Sequence, residues 1–310
     1  MRALQGWIVG GIAAVAVCAV AFGGAGPVVI ELPLGDAAGV DDVLFAPPKH
    51  ASTETPSYYV KPVAEEPPRS LCFWGDVDPR VRANLEAHFF LGAKKFQFNQ
   101  RWSSTATNGA GLSQGEATTL TFSFIPDGTT IPGDDGLGNG DQPSNLFSTF
   151  DALYGDTATW QDLYQQVFDR WSELTGLTYV FEPNDDGATF PGDTAGAPGL
   201  LNVRGDLRIG GYTIDGPGAG ILAFNFFPNV GDMVIDTANA ADFFANFSGN
   251  SLGFRNTISH EHGHGLGIAH VCPINENKLM EPFISFNFDC TQLDEVLVAQ
   301  KLYGDSFAGN

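Results

Sequence analysis

Basic residues are scarce in this chain, and their scarcity limits its partners. The 310 residues include only 15 Lys and Arg against 36 Asp and Glu, a formal net charge of −21. Since no basic patch exists to neutralise phosphates, nucleic acid is not expected as a partner. Long apolar runs are scarce as well. The apolar run Ile8–Phe22 is shorter than the ~20 residues needed to span a bilayer. The sequence shows no repeat array and does not indicate an oligomeric state.

The N-terminus has the pattern of an export signal. Arg2 supplies a positive charge, Ile8–Phe22 is small and apolar, and Ala19–Ala21 has the A-x-A form of a cleavage site. We therefore predict that residues 1–21 are a signal peptide and that the protein is secreted, with no stable membrane association after signal removal. Two alternatives are less favoured: an uncleaved anchor, and a lipoprotein, because Val rather than a small residue precedes Cys18.

Changes in composition divide the rest of the chain. Residues 22–97 are rich in Pro over 27–68 and more helical in pattern after residue 77, and we interpret them as an N-terminal extension or propeptide. Residues 98–310 are predicted to form one domain, with an irregular, acidic, Gly-rich insertion near 126–159. Within this insertion, the stretch 133–141 has the oxygen-rich composition of a calcium loop but lacks the spacing of an EF-hand, so a solvated loop is favoured.

Histidine is also rare, yet four of the six histidines fall within eleven residues. The run from His260 to His270 has the pattern H-E-x-x-H-x-x-G-x-x-H. On a helix, His260 and His264 lie one turn apart on the same face, so both imidazoles reach one metal ion. Gly267 can adopt a positive φ, end the helix and return His270 as the third ligand. Three protein ligands leave a coordination position for water, which is typical of a catalytic zinc.

Two further residues lie between the first two ligands. Glu261 is placed beside the metal, where a carboxylate can accept a proton from water, so we predict that it is the general base. His262 lies off the ligand face, and we expect it to be a bystander or to support the ligands. An isolated H-E-x-x-H arises by chance, but agreement at all five positions has a probability on the order of one in a hundred thousand for a chain of this size. The motif therefore predicts a zinc-dependent peptidase.

With its flanking residues, the motif resembles the matrixin branch of the metzincin zinc proteases. Lys278–Pro282 is similar to the Met-turn of that family, in which Met280 forms an apolar floor beneath the zinc. Val271 follows the last histidine, where adamalysin-like proteins have Asp and serralysin-like proteins have Pro. The Arg-Trp pair at 101–102 resembles the start of a matrixin catalytic domain. The resemblance covers residues 98–305 and implies protein or peptide substrates.

The resemblance also implies an α+β fold, with a twisted five-stranded mixed sheet, two long helices and a C-terminal helix. Alternating or apolar segments supply the strands, and segments with helical spacing supply the helices. The predicted strands are residues 120–124, 177–181, 207–214, 221–227 and 233–235, and the predicted helices besides the zinc helix are 160–174 and 293–303.

A structural calcium site is implied between the third and fifth strands. The sequence D-G-P-G-A-G from residue 215 resembles the matrixin calcium loop, and calcium prefers carboxylate and carbonyl oxygens. The family usually has Glu three residues after the completing aspartate, whereas this chain has Asn, a weaker ligand. The alternative is an ordinary Gly/Pro turn with a solvated aspartate. The predicted ligands are Asp215, Gly216, Gly218, Gly220, Asp236 and Asn239.

Many matrixins bind a second, structural zinc through histidines on the fourth and fifth strands. The corresponding positions here are Phe224 and Val234, which cannot bind a metal. We therefore expect one zinc rather than two, and we expect these side chains to pack in the core instead.

The cysteines after the signal suggest two hypotheses. In an oxidising compartment, Cys272 and Cys290 could form a disulfide around the Met-turn, across about 18 residues, with a stabilisation of about 3 kcal/mol in the chain-entropy model. Matrixins are commonly made as zymogens in which a propeptide cysteine binds the zinc, and Cys72 lies in the corresponding region. The usual P-R-C-G-x-P-D motif is absent, so a packed or free thiol is favoured over an inhibitory one.

Together these features predict a secreted zinc endopeptidase. We expect the substrate to lie extended along the strand 221–227 and to pair with it through backbone hydrogen bonds. Phe283–Phe286 is expected to wall a pocket for an apolar side chain just past the cut. The alternative from another class is a catalytically inactive, calcium-stabilised surface or adhesion protein that retains a structural metal site. Such a protein would have no physical need for Glu261.

Overall fold

The structure is a computed structural model. It describes the backbone of residues 69–73 and, in full, residues 100–133, 140–188, 190–191, 199–217, 220–271 and 277–306. All of these belong to one compact unit, residues 57–310. The predicted signal peptide and the helical pattern after residue 77 lie outside the described residues. No helix in the described part of the chain is long and apolar enough to cross a membrane.

The fold is α+β and is built on one main sheet. In chain order the strands are β1 (Arg69–Phe73), β2 (Ser104–Thr105), β3 (Gly109–Ala110), β4 (Thr118–Phe124), β5 (Thr130–Ile131), β6 (Gln142–Pro143), β7 (Leu177–Phe181), β8 (Leu207–Tyr212), β9 (Ile221–Phe226) and β10 (Met233–Asp236). β2 pairs with β3 and β5 pairs with β6, and the other six form the main sheet in the order β1-β9-β10-β8-β4-β7. β9 is antiparallel to β1 and β10, and the remaining pairs are parallel, so the sheet is mixed.

The predicted α+β fold and its five-stranded mixed sheet are confirmed, because all five predicted segments are neighbours in this sheet. A sixth strand, β1, was not predicted, and it comes from the N-terminal extension. It pairs with the outer edge of β9, from Arg69 opposite Phe226 to Cys72 opposite Ala223, with an irregularity before Phe73. The extension therefore contributes backbone to the main sheet.

Four α-helices are described: α1 (Leu146–Tyr154), α2 (Thr157–Leu174), α3 (Leu252–Gly265) and α4 (Leu293–Tyr303). α2 forms because its apolar residues recur at helical spacing and because the Asp156 carboxylate accepts a hydrogen bond from the Thr159 N–H at 2.8 Å. α4 begins with a capping box between Gln292 and Glu295. α3, the zinc helix, is buried along nearly its whole length.

The prediction that the insertion near 126–159 is irregular was wrong in part. The segment contains the β5–β6 hairpin and α1, although residues 134–139 lie outside the described residues. α1 buries Leu146 and Phe150, and its first-turn N–H groups of Phe147 and Ser148 donate to the two oxygens of Asp127, at 2.9 and 2.8 Å. The helix was missed because this cap lies about twenty residues upstream and the acidic Gly-rich run dominates the local composition.

Two apolar clusters lie on opposite faces of the sheet. On β10, Met233 and Ile235 belong to one cluster, whereas Val234 belongs to the other, as expected from the alternation of side chains along a strand. The larger cluster also contains Ile258 of α3 and Met280. The zinc helix is therefore fixed against the larger core, which positions the site.

Candidate metal centre

The three predicted zinc ligands converge on one point. The Nε2 atoms of His260, His264 and His270 form a triangle with sides of 3.0, 3.1 and 3.1 Å. Three nitrogens bound to one tetrahedral zinc at about 2.0–2.1 Å would lie about 3.3–3.4 Å from one another. Among the described residues, this is the one group of His, Cys, Asp and Glu side chains with metal-binding geometry.

Hydrogen bonds fix the orientation of two of these rings. His260 Nδ1 donates to the carbonyl oxygen of Leu279 at 2.6 Å, and His264 Nδ1 donates to that of Ile268 at 2.7 Å. This tautomer leaves the Nε2 lone pairs directed into the triangle, where they repel one another unless a cation lies between them. Burial lowers the pKa of His260 to about 4, and it lowers the pKa values of His264 and His270 well below the usual value for histidine. The neutral form that binds metal is therefore favoured at neutral pH.

The turn predicted at Gly267 is present and depends on glycine. Its φ is +96°, and a Cβ at this position would lie 1.8 Å from the carbonyl oxygen of Gln100. The chain at the start of the domain therefore lies directly against the turn that carries His270. Trp102 strengthens this contact, because its indole N–H donates to the carbonyl oxygen of Gly265 at 2.8 Å and its side chain is fully buried.

Met280 lies against the zinc helix. Its side chain is fully buried, and its carbonyl oxygen accepts a hydrogen bond from the N–H of Val271 at 2.9 Å, which joins the Met-turn segment to the residue after the third histidine. Glu261 is also fully buried, and it directly follows the first ligand on α3. The structure thus places the predicted general base and Met-turn residue in the elements that hold the ligands.

His262 is not part of the triangle. It is buried between the rings of Phe168, Trp171 and Tyr179, and the Tyr179 hydroxyl is hydrogen-bonded to its Nε2. Burial lowers its pKa to about 3. Its neutral ring therefore lies between the zinc helix and the side chains of α2 and β7. His262 thus supports the position of the helix and is not a ligand in the triangle.

The two predicted calcium-binding carboxylates lie together. Asp236 ends β10 and is fully buried, while Asp215 lies on the exposed side of the pair. Burial, together with the nearby Asp215 carboxylate, raises the pKa of Asp236 to about 7, and burial raises that of Asp215 as well. The Asn239 amide donates to Asp236 Oδ2 at 3.1 Å and to the carbonyl oxygen of Ile221 at 2.7 Å.

The backbone around this pair is partly described. Gly216 has φ of +94°, Gly220 is half-buried, and Gly218 lies outside the described residues. The N–H of Ile221 donates to Asp215 Oδ2 at 3.0 Å, which closes the loop onto the start of β9. The buried Asp236 carboxylate beside the more exposed Asp215, each with a pKa raised by desolvation, would be relieved by a divalent cation.

The positions that correspond to the second zinc site hold packed side chains, as predicted. Phe224 and Val234 are register partners on β9 and β10, both are fully buried, and both belong to the smaller core cluster.

The cysteine predictions fall at the limits of the described chain. Cys290 is buried and forms no disulfide with any described residue, and its predicted partner Cys272 lies outside the described residues, so the disulfide stays a prediction. The backbone of Cys72 lies in β1, opposite Ala223, and its side chain is outside the description. The hypothesis of an inhibitory thiol is therefore not tested.

Sequence reasoning missed two features near the metal. One is β1, which covers the edge of β9 that was expected to bind substrate. The other is a pair of residues on α3, Arg255 and Asn256, whose side chains reach the segment after the Met-turn. A buried Asn in a helix, one turn before a metal ligand, is the only local signal that could have indicated the second feature.

Comparison with known proteins agrees with this geometry. The matrixin peptidase family model matches residues 151–304, which include α2, the sheet from β7 to β10, the zinc helix, the Met-turn and α4. No curated protein matches the sequence significantly. The family supports a function of the metallopeptidase type and zinc binding, with which the three-histidine cluster is consistent. The match over residues 151–304 therefore shows that the chain contains a matrixin domain.

Proposed function

We propose that this protein is a secreted, zinc-dependent endopeptidase with Glu261 as general base. The observation that carries the proposal is the convergence of the three Nε2 atoms of His260, His264 and His270 within 3.0–3.1 Å of one another. When bound there, zinc would act as a Lewis acid toward water and the scissile carbonyl. The protein or peptide substrate is the class that the family implies.

The side chains around the metal have distinct roles in this proposal. Glu261 accepts a proton from the attacking water as its oxygen bonds to the carbonyl carbon, and it later passes the proton to the leaving amine as the C–N bond breaks. The carbonyl oxygens of Leu279 and Ile268 hold the rings of His260 and His264 in the tautomer that binds metal. The buried Met280 supports the helix from the opposite segment.

We further propose that Asp215 and Asp236 bind a structural calcium ion with nearby backbone carbonyls. The proximity of the two carboxylates and the burial of Asp236 support this, since a divalent cation would favour their ionised forms. The loop they close leads directly into β9, so an occupied site would hold the start of that strand.

The same strand supports a proposal on latency. An extended substrate binds a sheet edge through backbone hydrogen bonds, and the outer edge of β9 is the one expected to do this. Arg69–Phe73 pairs with that edge in antiparallel orientation. We propose that the N-terminal extension keeps the full chain latent by strand pairing, and that proteolytic removal of β1 exposes the edge.

The experiment uses the secreted form, with its first residue determined by N-terminal sequencing. We expect about one zinc per chain by elemental analysis, and cleavage of a broad peptide library that stops with a chelator and returns with zinc. Glu261→Gln should keep the metal and lose about 100-fold or more in kcat. Zinc-loaded protein that cleaves nothing, or a Glu261→Gln variant with full activity, would contradict the proposal and favour the inactive surface protein.

A further inference from the structure

We infer that Asn256, with Arg255, is a positioning residue that sets substrate selectivity by fixing the wall segment, defined here as residues 282–290. The inference rests on the proposed function, because it concerns the pocket for the side chain just past the cut. The wall segment follows Met280 almost directly and ends shortly before α4. Within it the described chain forms no helix or extended strand and only one residue, Phe283, is in a β-bridge, so side-chain contacts contribute much of what holds its backbone.

Asn256 uses its whole amide to hold this segment. Its Nδ2 donates to the carbonyl oxygens of Ser285 and Phe288, both at 2.8 Å, and its Oδ1 accepts the N–H of Cys290 at 2.7 Å. The side chain is fully buried. Since carbonyls only accept and an N–H only donates, these partners fix the orientation of the amide. An aspartate would have no N–H to donate and would place a charge against two carbonyl oxygens.

Arg255 also holds the C-terminal end of the wall segment. Its guanidinium forms a two-point ion pair with Asp289, in which Nη2 donates to Oδ2 at 2.9 Å. Its Nε donates to the carbonyl oxygen of Asn250, which ties the side chain back to the start of the helix. Asp289 is 57% exposed, so this contact contributes less than the buried amide.

The zinc helix links this wall to the metal. Asn256 lies one turn before His260, whose Nδ1 donates to Leu279 in the Met-turn. One rigid helix therefore holds the Met-turn through the first ligand and the wall segment through the preceding turn. The spacing between the histidine triangle and the wall segment is therefore set by a helix rather than by a loop.

The wall presents apolar side chains beside this helix. Ile284 is buried in the larger core, and Phe286 is 44% exposed with its ring 5.3 Å from that of Phe243. Gly253 of α3 allows this approach, since a Cβ there would lie 3.0 Å from both rings. We therefore assign the placement of Phe286, and with it any preference of the site for Leu or Phe over Ala, to the anchor at Asn256.

The test compares metal-loaded wild type with Asn256→Asp on peptides that differ only in having Ala, Leu or Phe just past the cut. We expect unchanged zinc content and a fall of about tenfold in the preference for Leu and Phe over Ala, mainly through KM. Asp289→Asn, a milder change at an exposed position, should shift the preference in the same direction by less. It keeps the test possible if Asn256→Asp folds poorly.

A matched control separates this role from general stability. Asp206 is also buried and organises loops, accepting backbone N–H bonds from Ala106, Gly199 and Thr121, none of which lies on α3 or the wall. Asp206→Asn should lower stability and leave the Leu-to-Ala preference unchanged. Equal preferences in wild type, Asn256→Asp and Asp289→Asn would overturn the inference.

Hydrogen exchange supplies a measurement that does not depend on activity. The amide of Cys290 donates to Asn256, so its exchange should accelerate in Asn256→Asp and not in Asp206→Asn. Unchanged exchange across the wall segment would show that another contact holds it and would overturn the inference. If Asn256→Asp shows the exchange effect but wild type cleaves no peptide, the proposed function fails while the anchor stands.

Discussion

Met280 and Gly263 are in such close contact that the helix has no room for a larger residue at position 263. A Cβ built on Gly263 would lie 2.5 Å from Sδ of Met280 and 3.0 Å from its Cε. Because the methionine is fully buried, its side chain has little space to withdraw. The glycine in the centre of the metal motif is therefore required for the Met-turn to pack beneath the helix.

Gly263→Ala should displace Met280 and destabilise the domain. Overpacking of a core typically costs about 1–3 kcal/mol, partly offset by the ~1 kcal/mol by which a helix favours alanine over glycine. The free energy of unfolding and the zinc affinity should both decrease, measured by denaturant titration and by competition with a chelator. Gly140→Ala is the control, since no described residue has an atom within 4 Å of its Cβ position. A Gly263→Ala variant as stable as wild type would contradict the prediction.

Calcium binding should strengthen as the pH rises through about 7. In the calcium-free protein the raised pKa of Asp236 lets the folded state retain a proton that the unfolded state loses at lower pH. Stability from this group is therefore present at low pH and is lost as the pH rises from about 4 to about 7. Calcium should reverse that loss, by about 2.7 kcal/mol at a concentration one hundred times its Kd. Thermal unfolding at pH 5 and pH 7.5, with and without calcium, measures both effects.

Asp236→Asn should remove most of this calcium response, while Asp162→Asn, which changes an exposed carboxylate on α2, should keep it. If Asp236→Asn responds to calcium as wild type does, the calcium ion binds elsewhere.

Cys290 should react very slowly in the folded, reduced protein. Burial, with the nearby Asp289 carboxylate, raises the pKa of its thiol to about 12. Alkylation proceeds through the thiolate, so labelling at pH 8 should be about a thousandfold slower than in the unfolded chain. Peptide mapping after pulse labelling measures this. If Cys290 is labelled only after reduction, even in denaturant, the predicted bridge to Cys272 exists instead; rapid labelling of the folded protein would contradict both.

Breaking the pairing of β1 should activate the full chain. Leu71 lies opposite Phe224 in the register, and Leu71→Pro removes a backbone N–H and disfavours the strand. Loss of one or two ladder hydrogen bonds should raise the rate of peptide cleavage by about tenfold. Cys72→Ser leaves the backbone unchanged, so it should remain latent. Activation by Cys72→Ser but not by Leu71→Pro would instead support inhibition by the thiol.

Much of this molecule could be predicted from local sequence. The strand at Leu177–Phe181 and the helix at Leu293–Tyr303 have the predicted bounds, because the periodicity of their side chains reflects burial on one face. The metal ligands were predictable for the same reason, since His260 and His264 lie one helical turn apart. Local spacing is sufficient to predict an element or a ligand pair wherever the residues that contact one another lie on the same element or on the next one.

The features that were missed depend on distant partners. β1 pairs with a strand about 150 residues later in the chain, and five residues without clear alternation do not indicate a strand. Asn256 binds carbonyls 29 and 32 residues later, in a segment without regular structure. Neither pairing leaves a periodic signal, because each depends on how separate parts of the chain come together.

If the N-terminal extension is removed as proposed, the contact between Gly267 and Gln100 restricts where the chain could be cut. A cut that releases β1 must fall after Phe73, and one that removed Gln100 or Trp102 would take away the backbone that buttresses the turn of the third ligand. The proposed activation cut is thus confined to the bonds between Phe73 and Gln100. We expect the new N-terminus to lie shortly before Gln100, and a cut further along the chain would remove the contacts that support the turn of His270.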